Sequence, residues 1–179
     1  MDFPVLYKKL VKIYKGVALS DLEVLKIVKN KARVMLYNEL AKYKTIDEAL
    51  GEHGAIFLLY ENQPQFGHWT TVWRRNRDTI NFFDSYGIFP DEQIYWNDEK
   101  TRKMLNQDIP YLSHLLINSN YKNLEYNDYQ YQKDGDDINT CGRWAALRLV
   151  LRNWTPKEFQ KVFGKKNGDD LVTIITELI

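Results

Sequence analysis

Three residues suited to acyl-transfer chemistry stand far apart in the chain: His68 in "GHW", Asp84 in "FDSYG" and Cys141 in "INTCGRWAALRLV". Cys141 is the only cysteine. A polar loop, "KDGDDINT", leads into it and an apolar run follows, so the pattern predicts a helix that begins at the cysteine. Free N–H groups and a positive partial charge at such a position favour thiolate over thiol. A neighbouring imidazole would lower the thiol pKa further and protonate a leaving group, and a carboxylate would fix the tautomer of that imidazole. Gly142, lacking a Cβ, would let a substrate carbonyl approach the backbone. Acyl chemistry also needs donors where the oxyanion develops. The Cys141 N–H is one. Gln130 and Gln132 in "YNDYQYQKDG" share one face of a period-2 strand and either could supply the other, with Gln132 closer to the loop. The competing reading is an inert core cysteine, because free cysteine is among the most buried residue types.

The elements around these residues must bring them together. Residues 68–74 and 79–83 read as two strands rich in aromatic and β-branched types, with "RRNRD" as the hairpin turn between them. A turn centred on Asn76 pairs residues whose numbers sum to about 152. His68 then lies opposite or diagonal to Asp84, with Cβ atoms about 5 Å apart when directly opposed. A slip of one residue would turn Asp84 to the other face and bring up Ser85 instead. Upstream, residues 55–60 form an apolar strand, and residues 124–132 read as a further strand downstream. Ser20–Glu23, Thr45–Glu48 and Thr155–Glu158 have the form of capping boxes that open helices. Helical spacing runs through residues 5–14 and from Leu22 to Met35, which makes the first fifty residues a helical cap. Helices near 98–106, 111–118 and 141–153 and two more after Thr155 complete an α+β fold. Its expected centre is a mostly antiparallel or mixed sheet packed by helices.

Composition narrows the function. The 179 residues carry 44% apolar and 27% charged side chains, near the average of globular proteins, and the formal net charge is +1. That balance argues against a mainly electrostatic nucleic-acid or membrane binder. One cysteine excludes an internal disulfide and fits a reducing compartment. Lysines interrupt the apolar positions of "MDFPVLYKKLVKIYKG", unlike a signal peptide, and the apolar run "AIFLLY" is too short to span a bilayer. "DGDD" begins like a calcium loop, but Ala145 stands where its final glutamate is needed. His53 and His114 lack metal-ligand spacing, and no glycine-rich phosphate loop is present, so neither metal nor cofactor is expected.

The order His, Asp, Gln, Cys, with "GHW", "DSYG" and "TCGRW" as local motifs, resembles the adenain-like and Ulp1-like cysteine peptidases; papain-like enzymes place the cysteine first. "DSYG" followed by "CGRW" is most similar to virion-maturation proteases of large DNA viruses, virophages and Polinton-type elements. The resemblance covers residues 54–153 as a catalytic core, with 1–50 as a helical cap and 154–179 as C-terminal helices of one domain. It implies Cys141 as nucleophile, His68 as base and acid, Asp84 as its orienter, Gln132 at the oxyanion and Trp69 shielding the imidazole. The implied substrates are viral structural precursors, handled by a monomer in the virion or the host-cell cytoplasm. A DNA or peptide activator, known among adenoviral members, finds little support in the near-neutral charge and the single cysteine. The alternatives are an isopeptidase acting on ubiquitin-like conjugates, an acetyltransferase with the same triad, or a non-enzymatic aromatic-rich capsid-associated module.

Overall fold

The apolar run at 55–60 reads continuously rather than alternating, which is the signature of a strand covered on both faces. In the computed structural model, which describes residues 3–179, that strand is the second of a five-stranded mixed sheet. The strands are β1 (Arg33–Leu36), β2 (Ala55–Gln63), β3 (Phe66–Arg74), β4 (Thr79–Asp84) and β5 (Asn123–Tyr126), in that spatial order. β2, β3 and β4 form an antiparallel meander, while β1 and β5 run parallel to β2 and β4 at the two edges.

The helices are α1 (Phe3–Lys15), α2 (Asp21–Ile27), α3 (Ile46–Leu50), α4 (Glu99–Met104), α5 (Tyr111–Ile117), α6 (Cys141–Val150), α7 (Pro156–Phe163) and α8 (Gly168–Leu178). All three sequence-read capping boxes form, with Ser20, Thr45 and Thr155 accepting from the backbone N–H of Glu23, Glu48 and Glu158. One face of the sheet presents Phe57, Leu59, Trp69, Trp73 and Phe83 to α6, which is flanked by α2, α7 and α8. The other presents Ile56, Leu58, Tyr60, Val72, Ile80 and Phe82 to α3, α5 and a 3-10 helix at Glu92–Trp96. Nine of the ten residues of α6 are buried, which explains why it shows little amphipathic pattern of its own. α1 buries no side chain; Lys15 Nζ donates to Asp170 of α8 at 2.8 Å.

Three expectations need correction. Residues 33–36, expected within a helix, form the edge strand β1: helical spacing persists through Met35 by coincidence, while α2 has already ended at Ile27. The strand expected at 124–132 stops at Tyr126, after which the chain turns inward to Asn127 and onward to the loop before α6. The hairpin turn is centred on Arg77 rather than Asn76, since Thr70 pairs with Asp84 and Arg74 with Ile80. The register therefore runs two residues beyond the expected one. An even slip preserves the face, so His68 is diagonal to Asp84 and still on its side of the sheet.

Candidate active site

His68 and Asp84 are brought together where β3 begins and β4 ends. His68 Nε2 lies 2.8 Å from Asp84 Oδ2, and both side chains are buried. An ionised carboxylate only accepts, so Nε2 carries the proton and Nδ1 is left for a second partner. Asp84 is itself held from three directions. The Tyr86 backbone N–H donates to Oδ1 at 2.6 Å, and Gln93 Nε2 donates to Oδ2 at 2.6 Å, beside His68. Asn127 grips the Asp84 backbone from both sides, accepting from its N–H at 3.2 Å and donating to its carbonyl at 2.6 Å.

Cys141 is the first residue of α6 and lines the same cleft, of about 370 Å³, as His68, Tyr86, Gln93, Trp96 and Gln132. Thr140, which precedes it, does not cap the helix: its hydroxyl donates to Asp169 of α8 at 2.6 Å. The first N–H groups of α6 therefore remain available to an anion, as helix N-termini favour. Asp169 also accepts from Trp144 Nε1 at 3.0 Å and from the Lys133 N–H at 3.0 Å, clamping both ends of the loop that delivers the cysteine.

The ionisation of the pair follows from these contacts. Burial alone would raise the Cys141 pKa, but a hydrogen bond and the charge of His68, with backbone N–H groups of Trp69 and Gly142, hold it below the ordinary thiol value. For His68, burial pushes downward and is outweighed by the Asp84 carboxylate and by Cys141, which together raise it to about 10. Both directions favour the imidazolium–thiolate pair over the neutral one.

The remaining expected residues fall differently. Gln132 is buried in the cleft wall, its Oε1 accepting from Ser85 Oγ at 2.9 Å and its Nε2 donating to the Ile138 carbonyl at 3.2 Å; one amide hydrogen stays free. Gln130 is exposed and absent from the cleft lining, its Nε2 donating to the Gln132 carbonyl at 3.0 Å. Trp69 does not cover the imidazole. As the neighbour of His68 in a strand it points to the opposite face, where its Nε1 donates to the Leu19 carbonyl at 2.9 Å. The rings against His68 are instead Trp96, edge-on at 5.1 Å, and Tyr86 at 5.2 Å. Gly142 faces the core rather than the cleft: a Cβ there would meet Trp69 Cδ1 at 3.0 Å and Val24 Cγ1 at 3.2 Å. Its absence serves helix–sheet packing, not substrate approach.

Sequence reasoning missed Gln93, Trp96, Asn127 and Asp169. The first two lie on a 3-10 helix too short to show a period, and the others are single polar residues in loops or at a helix start. Among the described residues no group of three or more His, Cys, Asp or Glu could hold a metal, and no helix is long and apolar enough to cross a membrane.

Comparison with protein families finds no match. Among curated proteins the chain is similar to the uncharacterized protein V9 of Sputnik virophage, at 42% identity over 174 residues, spanning 94% of this chain and 99% of that protein. Among solved structures there is a likeness to the central domain of the uncharacterized Lpg1148 protein of Legionella pneumophila. It has 16% identity and a TM-score of 0.40 over 90% of this chain and 94% of that one, too slight to argue from.

Proposed function

The chain belongs to the family of the Sputnik virophage V9 protein, and from that kinship and the site geometry we propose that it is a cysteine peptidase acting on viral structural precursors. The observation that carries the reading is His68, bonded through Nε2 to Asp84 at 2.8 Å and lining the same cleft as Cys141 at the start of α6, whose thiol pKa it lowers. An inert core cysteine needs none of these partners.

In this reading the Cys141 thiolate attacks the scissile carbonyl carbon, and the carbonyl π pair moves onto oxygen. The Cys141 N–H and the free Gln132 amide hydrogen stabilise that oxyanion. As it collapses, the C–N bond breaks and His68 gives the Nδ1 proton to the departing amine, leaving a thioester. Water then adds to the thioester carbonyl with His68 taking its proton, and the thiolate leaves as the carboxylic acid product forms. Asp84 stays ionised throughout and holds the imidazole with its proton on Nε2. The exposed aromatics Phe66 and Trp96 on the cleft rim supply apolar contact for an extended protein substrate.

The test is cleavage of virophage capsid precursors by the wild-type chain and by Cys141→Ala, side by side. Processing by the first and none by the second is expected; equal processing by both refutes the mechanism. Vinyl-sulfone probes carrying ubiquitin-like modifiers run in parallel. Labelling of Cys141 by one of them would move the substrate class to isopeptide conjugates.

A further inference from the structure

Gln93 is a buried amide with one of its two polar atoms partnered. Its Nε2 donates to Asp84 Oδ2 at 2.6 Å, while its Oε1 is buried without a partner and the residue lines the cleft. The amide cannot be reversed, because that would set its oxygen against the carboxylate. A buried acceptor without a donor costs stability that an apolar residue of similar size would not. Gln93 also sits on the 3-10 helix that carries Trp96 onto the His68 ring.

We propose that Gln93 is a positioning residue for the Asp84–His68 pair, its N–H fixing the carboxylate plane and sharing the oxygen that accepts from His68. The inference rests on the peptidase reading for its purpose but is tested without it. With Gln93 present, Asp84 Oδ2 divides its negative charge between two donors; without it, Oδ2 faces His68 alone and the Tyr86 N–H on Oδ1 is the one other donor left to hold the carboxylate plane. The other ionisable groups around the imidazole are Tyr60, which pairs with His68 across β2 and β3, Tyr86 and Glu61 in the cleft wall, Asp136 in the loop before α6, and Cys141 itself; no lysine or arginine lines the cleft among the described residues.

The experiment is NMR of the imidazole nitrogens in the full chain, with His68 assigned by loss of its signals in His68→Gln. In Gln93→Met the His68 titration midpoint should move upward and its Nε2–H signal should shift. Urea stability should be unchanged or increased, and kcat toward any peptide cleaved by wild type should fall about tenfold with KM little altered. In Gln93→Glu the wild-type Nε2–H signal should appear only at acid pH, where the introduced carboxyl is protonated and donates as the amide did. An unchanged His68 midpoint and Nε2–H signal in Gln93→Met overturns the proposal, as does a loss of stability accompanying unaltered imidazole spectra. A wild-type chain that cleaves nothing yet shows the Gln93-dependent imidazole signals refutes the peptidase reading and leaves the positioning role standing.

Discussion

Replacing Asp84 by asparagine changes one atom, and the surrounding donors make its outcome calculable. Oδ1 receives the Tyr86 N–H, and Oδ2 receives both His68 Nε2 and Gln93 Nε2. An asparagine offers one oxygen and one NH₂ to these three donors. If its oxygen faces His68 and Gln93, the NH₂ meets the Tyr86 N–H and one buried donor is orphaned. If it is flipped, the NH₂ meets two donors, and His68 can escape only by moving its proton to Nδ1. In the proposed mechanism that is the wrong tautomer, because there Nδ1 takes the proton of the Cys141 thiol. Each orphaned donor costs about 1–3 kcal/mol, so the urea midpoint should fall accordingly. The larger change is electrostatic. The carboxylate that raises His68 to about 10 is gone, while the burial that depresses it remains. His68 becomes neutral at physiological pH and the thiol loses its counter-ion. Iodoacetamide alkylation of the single cysteine reads this directly: fast across neutral pH in wild type, slow in Asp84→Asn until alkaline pH. Cleavage should drop by about 10⁴, the scale seen when a triad carboxylate becomes an amide. An Asp84→Asn chain with the wild-type alkylation profile and cleavage within threefold would show that Asp84 does not govern the pair.

Three further outcomes are expected. Trp96→Ala should raise KM and alter the His68 titration with little effect on stability, since Trp96 is half exposed, whereas Trp69→Ala should cost about 3–5 kcal/mol by opening the core; the reverse pattern in urea and kinetics would restore Trp69 as the imidazole cover. Gly67→Ala should disrupt the β2–β3 end beside His68, because its Cβ would collide with the Tyr60 carbonyl and the Glu61 backbone; circular dichroism and alkylation rate check this, and a native-like variant contradicts it. The His68 contribution to stability should be complete below pH 6.5, its ordinary value, and be lost as pH rises toward about 10, while the thiolate contribution is lost as pH falls through the lowered value of Cys141. Urea midpoints across that range in wild type and His68→Gln isolate the imidazole's share, and identical pH dependence in both would refute it.

The sequence made the site legible through parity more than through register. The hairpin arithmetic misplaced the turn, yet the even slip left His68 and Asp84 on one face. The same alternation already placed Trp69 on the opposite face from His68, and applying it to both residues would have ruled out Trp69 as the shield. Gly142 was readable only as a missing Cβ; whether a substrate or a tryptophan fills that space depends on how α6 lies on the sheet. β1 was illegible because four residues give too little period to compete with helical spacing on either side. Gln93 and Asp169 carry no local signal, since their significance comes entirely from partners distant in the chain.

The clamp at Asp169 has a consequence for the order in which the protein comes into being. His68, Asp84 and the sheet that holds them are synthesised first, and Cys141 follows much later. The carboxylate that anchors Thr140, Trp144 and Lys133 around the cysteine belongs to α8, which emerges later still. Until α8 has emerged, the loop that carries the thiol lacks the carboxylate that fixes it. The juxtaposition of thiol and imidazole therefore waits on the docking of an element that lies beyond both of them in the chain.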